Sequence, residues 1–456
     1  MKDARKPFFF LTYRLKYSMD KTQYTPMMQH YLELKEKHPD TILMYRLGDF
    51  YEMFFEDAKI ASRELDLVLT GRAAGVEKAP MCGIPHRAVQ SYISKLVHKG
   101  YKVAICEQLE EAKDAKGTLV ERDIVQIITP GTLLEEENNK RDLNYLAVIV
   151  TNSLKAVLIL CELSTGSLRY FYGDKSLSSI QALINEYQIK ELIAPRTLDR
   201  VWQKAFGQME TISFSIQPES TLSAEDESLM PFQDALLHQG LGVLMGYLQN
   251  TTMQHPDHLS ILTPLFSGSS MVLDPQTRNH LELLHSSSTS NKAKSLWEFM
   301  DLTHSALGSR LLREWIEAPL LDKEKIIQRQ NAIQVLLDQF LIRAELSEHL
   351  NYIYDLERLA ARISYRSASP RDILQLTASL EHAKPILELS KALESYPELK
   401  YVPDCQDLYE HLVNAIVPEP PLTIKDGNYI APGFNEELDT IRKLADESEE
   451  ALKELE

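Results

Sequence analysis

The spacing of hydrophobic positions changes once along the chain, at about Met271. Before that point, short apolar runs rich in β-branched residues alternate with stripes of helical spacing, a pattern typical of α/β domains. After it, leucines recur every three or four residues with few interruptions. The pattern therefore predicts α/β domains followed by an almost purely helical region.

The first α/β domain is predicted to begin with a helix. Thr25-Pro26 supplies an N-cap followed by proline at the first helical position, and His38-Pro39 closes the apolar stripe. A turn at Gly48-Asp49 follows the first strand, and residues 50–55 lead into a second helix. Strands are predicted at 41–47, 67–70, 103–106 and 124–129, and a third helix at 86–99.

The second α/β domain and the helical region carry equally clear signals. Strands are predicted at 146–150, 156–161, 167–172 and 191–193, with a helix at 180–187. In the helical region, Ser369-Pro370-Arg371-Asp372 predicts a capping box, and the proline-rich joint at 417–421 ends that region.

The last residues predict one strand of a coiled coil. Its seam consists of Leu438, Ile441, Ala445, Ser448, Leu452 and Leu455, which are spaced three and four residues apart. A single coiled-coil helix cannot bury its apolar stripe alone, and no helix-ending residue follows Leu455. We therefore expect this chain to be the N-terminal part of a longer protein.

Length and composition describe an ordinary globular protein. At roughly 150 residues per domain, the 456 residues predict about three domains. The four cysteines are far apart and form no CxxC pair, so neither a disulfide framework nor a zinc ribbon is expected, and a reducing cytoplasm fits best. Residues 1–18 are basic and lack the features of a signal peptide. We expect them to be an unstructured or wrongly assigned extension before Met19.

The net charge is −17 and is unevenly distributed. Residues 1–130 contain 20 Lys and Arg against 18 Asp and Glu, which leaves −19 for the remaining residues. An acidic protein still binds DNA when the contacting face is locally neutral or basic. The overall charge therefore does not exclude a nucleic-acid partner.

Enzyme signatures are mostly absent from the sequence, which contains no GxxxxGK[ST], GxSxG or HExxH segment. His255 and His258 are separated by a proline and have no nearby cysteine, so solvated loop histidines are expected rather than a metal site. Glu162 ends a strand without matching carboxylates on its neighbours, which favours a scaffold over a two-metal nuclease. No catalytic or metal-binding residue is predicted.

The segment from Arg46 to Phe54 is the strongest candidate for function. If its backbone is extended, Phe50 and Glu52 project from the same side. An aromatic ring there can insert at a weakened base step, and a neighbouring carboxylate can accept a hydrogen bond from a base while repelling normal duplex. The alternative is that Phe50, Tyr51, Phe54 and Phe55 all belong to the hydrophobic core.

This segment resembles the mismatch-recognition motif of the MutS family of DNA mismatch-repair proteins. The resemblance rests on GDFYEMF at 48–54 and continues, in the family's order, from Met19 to Glu456. The further matching segments are MCGIPHRAVQSYISKLVHKGYKVAICEQ (81–108), VERDIVQIITPGT (120–132), ELSTGSL (162–168), LDPQTRNHLEL (273–283), LGSRLLREWIEAPL (307–320), DLERLAARIS (355–364) and GFNEELDTIRKLAD (433–446).

The resemblance implies a multidomain α/β plus all-α protein. The implied domains are a mixed α/β mismatch-binding domain at 19–131, a ribonuclease-H-like connector at 140–264, a helical core and lever region at 268–423 and the start of a coiled-coil clamp at 424–456. Phe50 would be the stacking wedge and Glu52 would bond the displaced base, supported from the core by Tyr51 and Met53. Arg46 and Arg72 would be either phosphate contacts or structural ion-pair partners.

The resemblance also implies partners. They are double-stranded DNA with mismatches or small loops, a second copy in a homodimer of the complete protein, and downstream repair factors, in a cytoplasmic, nucleoid-associated protein without a membrane anchor. The complete family protein is a DNA-dependent ATPase that uses ATP and Mg²⁺, but no cofactor site is expected within this chain. The remaining alternatives are a freestanding interaction module without motor activity and a metal-dependent nuclease acting through the connector.

Overall fold

The computed structural model divides the protein into two compact units, Met1–Leu265 and Phe266–Glu456. It describes residues 23–75, 78–108, 122–134, 143–265, 270–271, 273, 275–284, 286, 294–391, 405–421 and 424–455. The predicted extension at 1–18 lies outside these residues. Among the helices so described, none combines the length and apolarity that crossing a membrane requires.

A six-stranded sheet forms the first part of the first unit. Its strands are β1 (Thr41–Leu47), β2 (Phe50–Phe54), β3 (Thr70–Ala73), β4 (Lys78–Pro85), β5 (Lys102–Gln108) and β6 (Arg122–Ile128). The helices are α1 (Pro26–Lys37), α2 (Phe55–Leu65) and α3 (Val89–His98), with a short 3₁₀ helix, His86–Ala88, before α3. The strand order is β3-β4-β2-β1-β5-β6, and of these pairs only β1–β5 is parallel.

Helices cover this sheet on both faces. Side chains of α1, including the fully buried Tyr31, pack with Tyr45 and Phe54 on one face. Side chains of α2 and α3, including Ile93, pack with Met53 on the other. The two cores explain why most of β1 and β5 is hydrophobic without clear alternation.

One predicted strand of this sheet was wrong, and one strand was missed. The strand predicted at 67–70 is a loop up to Leu69, because α2 ends at Asp66 in a left-handed conformation and the Leu67 amide donates to the Ser62 carbonyl. Strand β4 was not predicted at all. Its two prolines and Gly83 give it the composition of a loop, although it pairs with both β2 and β3.

A second six-stranded sheet follows in the same unit, and it confirms the strands and the helix predicted there. Its strands are β7 (Tyr145–Thr151), β8 (Lys155–Glu162), β9 (Ser167–Asp174), β10 (Glu191–Pro195), β11 (Ser213–Gln217) and β12 (Thr263–Pro264). The order is β11-β10-β7-β8-β9-β12, and β8 alone runs antiparallel to its neighbours. The helices are α4 (Leu177–Glu186), α5 (Arg200–Gly207), α6 (Ala224–Glu227) and α7 (Ala235–Thr252).

Helix α7 packs closely on the second sheet. Its side chains Leu237, Leu241 and Leu244 are fully buried. At Gly240, a Cβ atom would lie 2.8 Å from Ile159 Cδ1 of β8, so a larger residue there would displace the end of the Ile159 side chain.

One buried carboxylate joins the two sheets. Glu191, the first residue of β10, is fully buried and accepts hydrogen bonds from the Tyr247 hydroxyl at 2.7 Å and the Gly131 amide at 3.0 Å. The Thr129 hydroxyl, just after β6, donates to the same carboxylate, and Lys102 Nζ of β5 lies 3.6 Å away. Because every partner is also a hydrogen-bond donor, the buried charge is compensated on several sides.

The second unit consists mainly of helices. They are α8 (Pro275–His280), α9 (Leu296–Met300), α10 (Ala306–Glu317), α11 (Lys323–Asp338), α12 (Phe340–Leu350), α13 (Leu356–Ser364), α14 (Pro370–Ser390), α15 (Gln406–Ala415) and α16 (Glu436–Leu455), with a 3₁₀ helix at Ile424–Asp426. The predicted capping box is confirmed, since the Asp372 amide donates to Ser369 Oγ and the Ser369 amide to the Asp372 carboxylate. Arg362 also pairs with Asp372, at 2.6 Å.

The predicted C-terminal helix is confirmed as α16. Of the seam residues whose burial the structure describes, Leu438 is half-buried, Ile441 is 56% exposed and Ala445 is also exposed. The pairing of this helix in a coiled coil stays a prediction.

Candidate functional site

A tight hairpin positions the candidate residues. Strands β1 and β2 are joined by a two-residue turn whose first residue, Gly48, has φ +58°, a left-handed conformation that favours glycine. The turn fixes the register of β2. Phe50 and Glu52 therefore point to one face of the sheet, and Tyr51 and Met53 to the other.

The two faces of β2 differ sharply in burial. Tyr51 and Met53 are 3% and 0% exposed, whereas Phe50 is 46% exposed. Phe54 and Phe55 are buried as well. The alternative that all four aromatic residues belong to the core is therefore wrong for Phe50, and the expectation that Phe50 and Glu52 share a side is confirmed.

The neighbouring strand leaves room beside these two side chains. Gly83 of β4 pairs with Glu52, and a Cβ atom at position 83 would lie 3.7 Å from Glu52 Cγ and 3.8 Å from Phe50 Cδ1. Because Gly83 has no side chain, the surface next to Phe50 is flat at this point. A flat, partly apolar surface with one projecting ring is suited to contact with a stacked base.

Glu52 forms an ion pair on this face. Its Oε2 atom lies 2.5 Å from Nη1 of Arg72, which projects from β3 across the intervening strand β4. The Glu52 side chain is 14% exposed and that of Arg72 40%. Among the described residues, none donates a hydrogen bond to the other carboxylate oxygen, Oε1, which is therefore the atom available to an external donor.

Arg46 lies on the opposite face from Phe50. Its Nε atom donates to the Gly48 carbonyl, its guanidinium carbon lies 5.4 Å from the centre of the Tyr51 ring, and its side chain is 11% exposed. The Arg46 carbonyl accepts a hydrogen bond from Arg122 at 3.0 Å. These contacts are those of a structural partner of the turn; contact of Arg46 with phosphate stays a prediction.

A polar cluster supports β2 from behind. The Tyr51 hydroxyl donates to Glu107, whose Oε1 atom also lies 3.8 Å from Arg46 and 4.0 Å from His86. The ring of His86 stacks on that of Tyr51 at 5.6 Å, and the His86 amide donates to the Asp49 carbonyl at 2.8 Å. Burial, together with the Glu107 carboxylate, raises the pKa of the Tyr51 phenol, which is therefore a hydrogen-bond donor at neutral pH.

The residues considered for metal chemistry have other contacts. Glu162 is 1% exposed and accepts hydrogen bonds from the Ser164 hydroxyl and the Thr165 amide, both at 2.8 Å. Within the part of the chain that the structure describes, no three His, Cys, Asp or Glu side chains are grouped so as to hold a metal ion. Glu162 thus stabilises the turn that follows β8.

The two loop histidines differ from each other. His255 is exposed, as expected, and bridges Asp226 at 3.0 Å and Asp257 at 2.6 Å. His258 is half-buried rather than solvated, because its Nε2 atom is hydrogen-bonded to the Leu163 carbonyl at 2.8 Å. Burial lowers the pKa of His258.

Comparison with known proteins identifies the family. A domain model described as MutS domain I matches residues 25–137, which include the whole candidate site, and one described as MutS domain III matches residues 276–456. Together they cover more than half of the chain. The chain belongs to the MutS family.

Individual relatives agree with the domain matches. The DNA mismatch repair protein MutS of Listeria monocytogenes is 38% identical over 442 residues, which are 95% of this chain and 51% of that protein. The MutS proteins of Desulforamulus reducens and Bacillus cytotoxicus are 39% and 36% identical, over 92% and 95% of this chain. The chain spans about half the length of these relatives.

Sequence reasoning did not assign Gly83, His86 or Glu107 to the site. All three lie in the segment 81–108 that resembles the MutS family, so that resemblance was the available signal. Their proximity to Phe50 depends on the pairing of β4 with β2 and of β5 with β1. Neither pairing follows from the local pattern of residues.

Proposed function

We propose that this chain supplies the part of a DNA mismatch-repair protein that recognises mismatched or unpaired bases in duplex DNA. The observation that carries the proposal is the exposure of Phe50, at 46%, in a segment whose other aromatic residues are buried. A single exposed ring is ordinary on a protein surface. This ring, however, projects beside Glu52 in a segment that matches MutS domain I, and a destacked base supplies a flat apolar partner for it.

In this proposal, Phe50 stacks on a base at the mismatch. A mispaired or unpaired base is easier to unstack than a paired one, so insertion of the ring is favoured at such steps. The neighbouring residues Tyr51 and Met53 are buried, and they hold strand β2 in place when the Phe50 ring stacks on a base. Stacking requires no particular base, which suits a site that meets many kinds of mismatch.

Glu52 provides selectivity in the same proposal. Its Oε1 atom accepts a hydrogen bond from the base that is displaced by the ring. On a normal duplex no donor is displaced, and the carboxylate meets only phosphate charge, which disfavours the complex. Arg72 then lies close enough to Glu52 to influence that charge.

The remaining domains receive roles by family membership. We assign 19–131 to mismatch binding, 140–264 to a ribonuclease-H-like connector, 268–423 to the helical core and lever and 424–456 to the start of a coiled-coil clamp. The strand order β9-β8-β7-β10-β11, with β8 antiparallel, supports the connector assignment. The exposed Ile441 supports the pairing of α16 with a further helix.

The motor activity is assigned elsewhere. The relatives are about twice as long as this chain, and no GxxxxGK[ST] segment occurs in it. We therefore place the ATP-dependent clamp action, with its ATP and Mg²⁺, in the half of the relatives that the chain does not span. A homodimer, downstream repair factors and a cytoplasmic, nucleoid-associated location belong to the same proposal for the complete protein.

A binding series tests the proposed function. The complete protein is titrated with four fluorescent DNAs of equal length: a matched duplex, a duplex with one mispair, a duplex with one unpaired base and a single strand. We expect the second and third to bind more tightly than the first at the same salt concentration. Equal affinities for all duplexes would contradict recognition of mismatches and favour an interaction module.

The nuclease alternative makes a separate prediction. It requires Mg²⁺-dependent cleavage of DNA that disappears in Glu162→Ala. Because the Glu162 carboxylate is occupied by the turn after β8, we expect no such cleavage.

A further inference from the structure

The ion pair between Arg72 and Glu52 lies on the face that carries Phe50. Arg72 projects from the edge strand β3, and Glu52 from the third strand of the sheet, with β4 between them. Nη1 and Oε2 are 2.5 Å apart. The pair therefore links β3 to β2 across β4, and does not join residues that are neighbours on one strand.

This pair changes the charge that a DNA duplex meets. A lone Glu52 would present a full negative charge beside Phe50, whereas the paired carboxylate and guanidinium sum to zero. Only Oε2 is occupied by Arg72, which leaves Oε1 free to accept a hydrogen bond. The pair thus reduces repulsion from phosphates without removing the acceptor that the proposed recognition uses.

We propose that Arg72 is a specificity-setting residue, which acts on DNA through Glu52 and weakens the rejection of normal duplex by the Glu52 carboxylate. This inference rests on the proposed function. It differs from a phosphate contact because a phosphate contact strengthens binding to matched and mismatched duplex alike. A residue that acts through Glu52 changes the preference between them.

The proposal predicts a sharper preference when Arg72 is removed. In Arg72→Gln, the unpaired carboxylate repels matched duplex fully. In the mismatched complex, the displaced base donates to a carboxylate that no longer shares its charge with Arg72, and this stronger hydrogen bond offsets part of the repulsion. Because exposed ion pairs are worth about 0.2–1 kcal/mol, we expect the ratio of the two dissociation constants to rise by about 1.4-fold to fivefold.

A double-mutant cycle in the complete protein tests this proposal. Dissociation constants for a matched duplex and for one with a single mispair are measured for wild type, Arg72→Gln, Glu52→Gln and the double variant, at one fixed salt concentration. Arg63→Gln is the control, because it removes an arginine charge of the same unit that is 69% exposed and pairs with Glu64 rather than with Glu52. Arg72→Lys tests whether a positive charge alone restores the wild-type ratio.

The expected result is a changed ratio in Arg72→Gln, no further change on adding Arg72→Gln to Glu52→Gln, no change in Arg63→Gln and partial restoration in Arg72→Lys. An equal loss of affinity for both duplexes in Arg72→Gln would overturn the proposal and mark Arg72 as a phosphate contact. The same change of ratio in both backgrounds would also overturn it. Failure of the proposed function is distinct, since wild type itself would then bind both duplexes equally.

Discussion

Phe50 and Tyr51 are consecutive residues of one strand, yet 46% of Phe50 and only 3% of Tyr51 is exposed. Their substitution by alanine should therefore affect stability to very different extents. Tyr51→Ala leaves a cavity and should lower the free energy of unfolding by about 3–5 kcal/mol, whereas Phe50→Ala should change it by less than about 0.5 kcal/mol. Urea unfolding of the two variants measures both values. A large decrease in the free energy of unfolding of Phe50→Ala would show that the ring is packed in the core rather than exposed on the surface.

Glu52 should weaken binding to normal duplex. In the proposed complex, Glu52→Ala removes a negative charge close to the phosphates, and at about 4 Å in water such a charge is worth about 1 kcal/mol, or about fivefold in affinity. We therefore expect tighter binding to matched duplex and a smaller preference for a mispair, as measured by fluorescence anisotropy. Glu56→Ala is the control, because Glu56 pairs with Lys59 on α2. A uniform loss of affinity would mark Glu52 as structural.

Glu107 should act on the site through Tyr51. Glu107→Ala leaves the buried Tyr51 hydroxyl without its acceptor, at a cost of about 1–3 kcal/mol. Hydrogen exchange at the amides of β2 should become faster, and the preference for mispaired DNA should fall. Tyr51→Phe keeps the ring and removes only the hydroxyl, so it should reproduce the exchange effect in part. Unchanged exchange in both variants would contradict a supporting role of the pair.

Glu191 should hold the two sheets of the first unit together. Glu191→Ala leaves the donors of Thr129, Gly131 and Tyr247 buried without their acceptor. By comparison with other broken buried networks, we expect a loss of about 3–5 kcal/mol in urea unfolding. Glu210→Ala, an exposed carboxylate of the same unit, is the control. Equal unfolding midpoints for the two variants would contradict the proposal that Glu191 holds the two sheets together.

His255 should make stability depend on pH. Burial lowers the pKa of His255, but the hydrogen bonds that its ring donates to the Asp257 and Asp226 carboxylates outweigh that effect, so the pKa lies above its ordinary value. A raised pKa in the folded state means that the charged form stabilises the fold. This contribution is fully present below about pH 6.5 and is lost as the pH rises through the raised value.

The variant His255→Gln isolates that effect. Because the side chain is 39% exposed, solvent screening limits the contribution to about 0.5 kcal/mol or less. Wild type should exceed His255→Gln in stability at about pH 5 and lose that advantage by about pH 9. A difference that grows with pH would contradict the assignment.

The arrangement of β2 was predictable from its own residues. Alternation places Phe50 and Glu52 on one side, and Gly48 marks the turn that sets the register. The helix-capping residues Ser369 and Asp372 were equally clear, because a capping box is a local motif.

Features that depend on pairing between segments far apart in the sequence were not predictable. Strand β4 contains Pro80 and Gly83, which locally favour a loop, and it becomes a strand because β2 and β3 lie on either side. Residues 67–69 look like a strand, but they form a loop whose first residue, Leu67, bonds back to Ser62 of α2. The contact of Arg72 with Glu52 follows only from the strand order, so the two alternatives for Arg72 remained open from sequence alone.

The most direct test of the account is the ratio of dissociation constants for matched and singly mispaired duplex in Phe50→Ala, Phe50→Trp and Phe232→Ala of the complete protein. Phe232 is the matched control, since this phenylalanine lies between α6 and α7, next to the second sheet, and is 48% exposed. Base stacking is worth about 1–3 kcal/mol, or about fivefold to a hundredfold in affinity. We predict that Phe50→Ala abolishes the preference and retains weak, salt-sensitive binding to matched duplex, while Phe50→Trp and Phe232→Ala keep the preference. A wild-type ratio in Phe50→Ala would contradict the wedge.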